Sequence, residues 1–482
     1  MAKPRRGDSL ELTIDDLAFG GEGLGRVNGY VIFVRGAVPG DRVRVKVTEA
    51  RARYGRAVVE AVQAPSPDRV AAPCPYFGRC GGCRLQHLAY PAQLAFKEKQ
   101  VRDCLERLGG LPPFELLPIL PAPEPYHYRN KMEFTISAAT PQPTQTRLGL
   151  DALRLAQPSQ ATHETSGLAA PIIGLHEADR YDVVLDIERC LLQSDAMNAL
   201  LDETRREARA RGLSVYDQES GQGLLRFLTV REGLRTGELM VNIVAATPDV
   251  EGLGPLAGRL CERVPTTASV VLNVNAKKAS VAVGSEEHLL LGRDHIREAL
   301  GGLTFQVSAN SFFQTNTAQA ERLFGIVEAA CELTGSETVM DLYSGTGAIS
   351  LLLARRCRRV YGIEVSAAAV ADAVRNAGAN GIENCTFLSG EVRHVLPALM
   401  QGGVRAGVVV ADPPRAGFHP KALGALATLG AERIVYVSCN PATLARDVGD
   451  LARQGYRLEW VQPVDMFPQT PHIEAVARLR RG

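Results

Sequence analysis

The chain has 482 residues, enough for about three domains at roughly 150 residues each. Hydrophobic residues at 45% and charged residues at 22% are those of an ordinary globular protein, and a net charge of +1 gives no global sign of a polyanion partner. No apolar run approaches the ~18 residues that a membrane helix needs, and the basic start at Lys3, Arg5 and Arg6 lacks the apolar stretch of a signal peptide. A cytoplasmic enzyme with no membrane contact is expected.

Residues 8–62 read as short strands joined by Gly-rich turns. Strands are expected at 10–14 and 29–34, a loop at 19–25 and a turn at 38–41. Residues 42–47 alternate with strict period two, and 57–62 close the set. Five short strands in this space suit a small barrel of the oligonucleotide-binding sort. Arg42, Arg44, Lys46, Arg51, Arg53 and Arg56 crowd one stretch with only Asp41 and Glu49 beside them. Such a row can face phosphates or simply form a solvated strand face.

Residues 64–68 are a linker. Cys74, Cys80 and Cys83 follow, and clustered cysteines in a cytosolic chain point to metal before disulfides. Their spacing suits a zinc site missing one ligand or an iron–sulfur site, and it is not the Cys-x3-Cys-x2-Cys of radical enzymes. His87 reads as a structural histidine beside them. A helix is expected over 91–108 and mixed strands and helices from 128. Residues 138–170, rich in Ala, Pro, Gln and Thr, read as an insertion or mobile loop. Further strands are expected within 229–245 and 270–283. From 332 onward strands at 338–342, 359–364, 385–388, 407–411 and 433–438 alternate with helices, the mark of a parallel doubly wound α/β sheet. The expected division is a barrel at 1–65, a central α+β region at 66–305 and a Rossmann-like domain at 306–482.

Three turns of that last region carry chemistry. Gly345-Thr-Gly347 joins a strand to a helix, and Glu364 ends the next strand, where an acidic residue binds ribose hydroxyls. A dinucleotide fingerprint would want glycine where Ser350 stands, so a nucleoside-bearing cofactor of another kind is expected. Asp412-Pro-Pro-Arg415 gives a stiff loop that fixes Asp412 after a strand. Cys439 lies between the strand at 433–438 and a helix start at Asn440-Pro441, where open α/β sheets bind ligands. There it is either a small buried hydrophobe or a thiol whose pKa the helix dipole lowers.

With Ser311-Phe-Phe-Gln-Thr-Asn316 and Pro471-His-Ile-Glu474, these motifs resemble the S-adenosylmethionine-dependent RNA uracil-5-methyltransferases. The barrel resembles that family's TRAM domain, and the likeness covers nearly the whole chain outside 138–170. The resemblance implies that Cys439 is a nucleophile toward uracil C6 and Glu474 the base that removes the C5 proton. It places Gln314, Tyr343, Gly345, Glu364 and Asp412 around S-adenosylmethionine, with Glu391 near the adenine. It supplies Cys190 as fourth ligand of a four-iron four-sulfur (4Fe-4S) cluster with Cys74, Cys80 and Cys83. Two residues depart from the family pattern: Ser344, where cysteine is frequent, and Ala348, where asparagine or threonine is usual.

The chemistry accounts for these residue types. Uracil C5 is too poor a nucleophile to attack a methyl sulfonium unaided, and a thiolate adding to C6 puts negative charge on C5 and O4. A stacked base hides C6, so the uridine must flip out. Family members with both barrel and cluster act mostly on large-subunit ribosomal RNA, so a monomer forming 5-methyluridine in 23S rRNA is expected. The transfer RNA T-loop is the alternative. A cytosine-5-methyltransferase, a non-catalytic RNA-binding factor and an iron–sulfur redox protein are more distant rivals.

Overall fold

The structure, a computed structural model, describes residues 3–138, 170–279 and 281–482. The expected insertion at 138–170 lies outside the described residues except for its two ends.

Five strands, Ser9–Leu17, Gly23–Val27, Tyr30–Arg35, Arg42–Ala50 and Tyr54–Ala64, close into a barrel. Alternation builds its core: Tyr30, Ile32 and Val34 point inward from one strand and Val43, Val45 and Val47 from another. The stretch read as a loop at 19–25 contributes the strand Gly23–Val27 instead. Its glycines answer to close packing: a Cβ on Gly25 would lie 2.3 Å from Leu12 Cδ1, and one on Gly23 would lie 2.8 Å from the Ala37 carbonyl oxygen. The basic row faces outward. Arg44 pairs with Glu60 at 3.7 Å, Arg56 with Glu22 at 2.8 Å and Arg51 with Glu49. Arg42, Lys46 and Arg53 have no ion pair among the described residues.

A seven-stranded sheet follows, ordered Glu286–Gly292, Thr267–Val274, Leu239–Ala245, Leu225–Glu232, Lys131–Ala138, Pro171–Glu177 and Arg180–Asp186. Helices Asp195–Ala210 and Val250–Arg263 cover it. The strand expected within 270–283 ends at Val274, where Asn275 begins a turn held by its own side chain. The cysteine segment docks on the end of the strand Pro171–Glu177 through the Gly81 N–H to the His176 carbonyl, 3.0 Å.

The third layer is an eight-stranded sheet ordered Cys385–Ser389, Arg359–Glu364, Thr338–Leu342, Val408–Ala411, Arg433–Ser438, Glu474–Arg481, Tyr456–Val464 and Glu115–Leu116. The first five strands run parallel. Thr338–Leu342, Val408–Ala411 and Arg433–Ser438 are buried along their whole length, as parallel strands covered by helices on both faces must be. Chain order reverses between Thr338–Leu342 and Val408–Ala411, so a crevice opens there at the carboxyl ends. The helix Tyr90–Asp103, prolonged by a π-helical turn at Cys104–Leu108, and the two-residue strand Glu115–Leu116 join this sheet from far upstream. No helix among the described residues is long and apolar enough to cross a membrane.

Candidate active site

The crevice at the switch point is walled by the turns after Thr338–Leu342 and Val408–Ala411. Tyr343 adopts a left-handed φ of 69°, unusual for a bulky side chain, and its N–H and that of Ser344 both reach the Ile363 carbonyl. Gly345 also has positive φ, and a Cβ built on it would meet nothing within 4 Å, which leaves open space over the turn. Gly347 differs: a Cβ there would lie 3.0 Å from the Phe387 ring. Glu364 braces the turn by accepting from the Gly345 N–H at 3.1 Å and the Ser366 N–H at 2.8 Å. Asp412 stands across the crevice, its N–H bonded to the Leu342 carbonyl, and burial pushes its carboxyl up to about 7.

Beneath the turn, buried Asp341 accepts from Ser350 Oγ at 2.6 Å, and burial raises its pKa to about 6. Ser350 thus holds a carboxylate from the position where a dinucleotide fold carries its third glycine. The Ser344 hydroxyl is buried without a partner among the described residues, a place where a cysteine thiol would be less costly.

Gln314 arrives from a separate segment clamped from both sides. Asn130 Nδ2 donates to its carbonyl at 3.0 Å, the Arg231 guanidinium donates to the Ser311 carbonyl, and Asn316 Nδ2 reaches the Met466 carbonyl at 3.0 Å. Glu391 follows Gly390, whose N–H bonds to the Glu364 carbonyl, so it reaches the same edge. Its exposed carboxylate is engaged with Arg393.

Cys439 and Glu474 are brought together by strand register. Ser438 pairs with Ala475, and the next step of that antiparallel ladder sets Cys439 across from Glu474. Asn440 caps the helix Pro441–Ala452 by accepting from the Ala442 N–H at 3.1 Å, with Pro441 in its first turn. The helix start therefore lies where the sequence placed it, but the expected lowering of the thiol pKa does not follow. Burial, then Glu474, then Asp412 push Cys439 up to about 11, and Arg415 opposes them. Glu474 is buried, and its pKa is raised well above the usual carboxylate range by burial and by Asp412. Burial is the main cause, and two carboxyls from distant segments add to it.

The motifs contain other residues whose part emerges only in three dimensions. Arg415 Nη2 donates to His472 Nδ1 at 2.8 Å. Lys97, fully buried, donates to Asp465 Oδ1 at 2.6 Å and to the Phe467 carbonyl at 3.2 Å. Gln93 and Gln469 exchange hydrogen bonds, and the Gln469 carbonyl accepts from the N–H groups of Arg84 and Leu85. Residues 465–473, which lead into Glu474, are thereby pinned to the helix Tyr90–Asp103 and the cysteine segment.

Cys74, Cys80, Cys83 and Cys190 line one cavity of about 170 Å³ with Tyr76, Phe77 and Thr470. Burial pushes Cys80 up to about 11 and Cys83 to about 12, and ionised cysteines of the set raise one another further. Among the described residues no three His, Cys, Asp or Glu side chains close around a single metal ion. His87 lies outside this lining, packed against Phe77 with the rings tilted by 44° and their centroids 5.0 Å apart.

Comparison with known proteins bears on the family and the fold. The family model "tRNA (Uracil-5-)-methyltransferase" matches residues 269–481, and the TRAM domain model matches 3–59. An uncharacterized RNA methyltransferase of Chlorobaculum tepidum is 42% identical over 99% of this chain and 97% of its own. One from Halalkalibacterium halodurans is 39% identical over 99% and 98%. Among solved structures, the Pyrococcus abyssi tRNA (uracil-54, C5)-methyltransferase in complex with S-adenosyl-L-homocysteine superposes with a TM-score of 0.72, 29% identity, and coverage of 98% of this chain and 100% of that one. A five-stranded barrel, a doubly wound sheet with an open crevice at its switch point and these matches place the chain in the S-adenosylmethionine-dependent RNA uracil-5-methyltransferase family.

Proposed function

We propose that the protein forms 5-methyluridine in RNA, with Cys439 as nucleophile and Glu474 as base. The register that sets Cys439 opposite Glu474 at the carboxyl end of the sheet carries this reading. Cys439 loses its proton to solvent and adds through sulfur to uracil C6, and the electron pair of the C5–C6 double bond moves onto C5 and O4, which makes C5 nucleophilic. When bound, S-adenosylmethionine supplies the methyl group that C5 takes. Glu474, ionised, then removes the C5 proton, and the electrons of that C–H bond expel the Cys439 thiolate. Burial, Glu474 and Asp412 favour the protonated thiol in the free protein, which slows stray oxidation and alkylation.

The open face of Gly345 and the remaining lone pairs of Glu364 suit a nucleoside with ribose hydroxyls. Gln314, Tyr343 and Asp412 complete the cofactor site in this reading, with Glu391 at its adenine end. The four thiols line one cavity, as the ligands of a 4Fe-4S cluster would. Cys74, Cys80, Cys83 and Cys190 would hold it, and it would supply a rigid brace between the central sheet and residues 465–473.

The substrate in this reading is 23S rRNA, modified in the cytoplasm by a monomer whose barrel and central region grip the RNA. The three parts divide at residues 65 and 305, with residues 90–116 lending a helix and an edge strand to the catalytic sheet. The Pyrococcus abyssi likeness favours a transfer RNA T-loop as the second reading. Incubation with labelled cofactor and RNA from a strain lacking the gene decides between them when the label is mapped. RNA bearing 5-fluorouridine, whose fluorine cannot leave as a proton, should trap an adduct on Cys439. Labelled 5-methylcytidine, or turnover by Cys439→Ala, would overturn the proposal.

A further inference from the structure

Arg415 stands among acidic groups and pairs with none of them. The charges acting on Cys439 are Glu474, Asp412 and Arg415, and those acting on Glu474 are Asp412 and Arg415. Arg415 nevertheless makes no ion pair among the described residues. Its backbone is fixed to the nucleophile's own segment: Asn440 Nδ2 and Thr443 Oγ1 donate to its carbonyl at 3.2 and 3.3 Å. Its guanidinium is fixed to the base's segment through His472 Nδ1 at 2.8 Å.

An imidazole can accept from a guanidinium only while it is neutral. His472 is kept so. Burial pushes its pKa down to about 4, assisted by Arg415, Lys97, Arg129 and Arg84 around it. The ring also packs edge-on against Phe467, centroids 6.1 Å apart, which fixes its plane. A neutral acceptor orients Arg415 without neutralising it, whereas a carboxylate partner would spend the positive charge.

We propose that Arg415 is the cation that stabilises the Cys439 thiolate, and that His472 is the residue that positions it. The full charge of Arg415 is available at the start of the reaction and again when the sulfur is expelled from C6. This rests on Cys439 being the attacking thiol, so the test reads the thiol and not the methylation.

The intact protein is alkylated with iodoacetamide across about pH 8 to about pH 11, and modification of Cys439 is quantified by peptide mass spectrometry. Arg415→Gln should slow alkylation at the lower pH by about tenfold, the effect of a one-unit rise in thiol pKa. Arg415→Lys should recover part of that rate. His472→Ala should slow it less than Arg415→Gln, and His472→Asn, whose amide oxygen accepts from a guanidinium, should return it toward wild type. Retained S-adenosylmethionine binding shows that each variant is folded. Wild-type alkylation profiles in Arg415→Gln overturn the proposal, and equal rates for His472→Ala and wild type remove the positioning role. If the wild-type protein makes no 5-methyluridine while the profile still depends on Arg415, the functional reading fails, and what stands is the stabilisation of the Cys439 thiolate by Arg415 without its part in the reaction.

Discussion

Replacing Glu474 by Gln should separate two properties that fall together when an active site is merely damaged. With the thiol at about 11, only about one Cys439 in three thousand is ionised at about pH 7.5. After burial, Glu474 is the largest contributor to that elevation. A neutral amide of the same shape cannot ionise, so at any pH where Glu474 is charged the substitution should lower the thiol pKa and speed the alkylation of Cys439. Turnover should move the other way. Without a base the C5 proton stays, the thiolate cannot leave, and the rate should drop about 10²- to 10⁴-fold. Methylated RNA should then accumulate bound to Cys439, visible as a slow-migrating band on a denaturing gel and absent from Glu474→Gln/Cys439→Ala. Turnover within about threefold of wild type with no adduct would show that the proton leaves by another route.

Lys97→Met should destabilise residues 465–473 by about 3–5 kcal/mol, since it strands buried Asp465, and Lys97→Met/Asp465→Leu should recover much of that; hydrogen exchange reads both. Gly25→Ala forces a Cβ against Leu12 and the Thr13 carbonyl and should cost the barrel about 1–3 kcal/mol, seen as faster exchange in 9–64 and a higher KM for RNA. Cys190→Ser should lower bound iron and acid-labile sulfide while S-adenosylmethionine still binds, and stoichiometric zinc in anaerobically purified wild-type protein would replace the cluster with a different metal site.

The doubly wound sheet was readable because its strands are short apolar runs ending in turns with special chemistry. Thr338–Leu342, Arg359–Glu364 and Arg433–Ser438 lie where the pattern placed them. Gly23–Val27 was not readable, because glycine required by a close neighbour looks in sequence like glycine required by a loop. The direction of the Cys439 shift was hidden for a different reason. Its helix lies next to it in sequence, but the burial that dominates the shift and the two carboxyls that add to it, 27 residues before and 35 after (439 − 412 and 474 − 439), come only with the folded sheet. Lys97 and Asp465 are 368 residues apart, so no local pattern announces their pair.

That last separation bears on why the chain keeps its cysteine segment beside the catalytic sheet. Residues 465–473 have no regular secondary structure, yet Glu474 must hold its place opposite Cys439 to within a fraction of an ångström to act as a base. The loop's own backbone supplies little of that order. Lys97 grips one end, Gln93 and the N–H groups of Arg84 and Leu85 grip Gln469, and Thr470 lies against the cavity lined by the four cysteines. A rigid group in that cavity would therefore act on catalysis through geometry, by fixing the segment that carries His472 and Glu474. It follows that loss of the cysteines should lower kcat more than it weakens cofactor binding, because the Gly345 turn and Glu364 are built from the sheet alone.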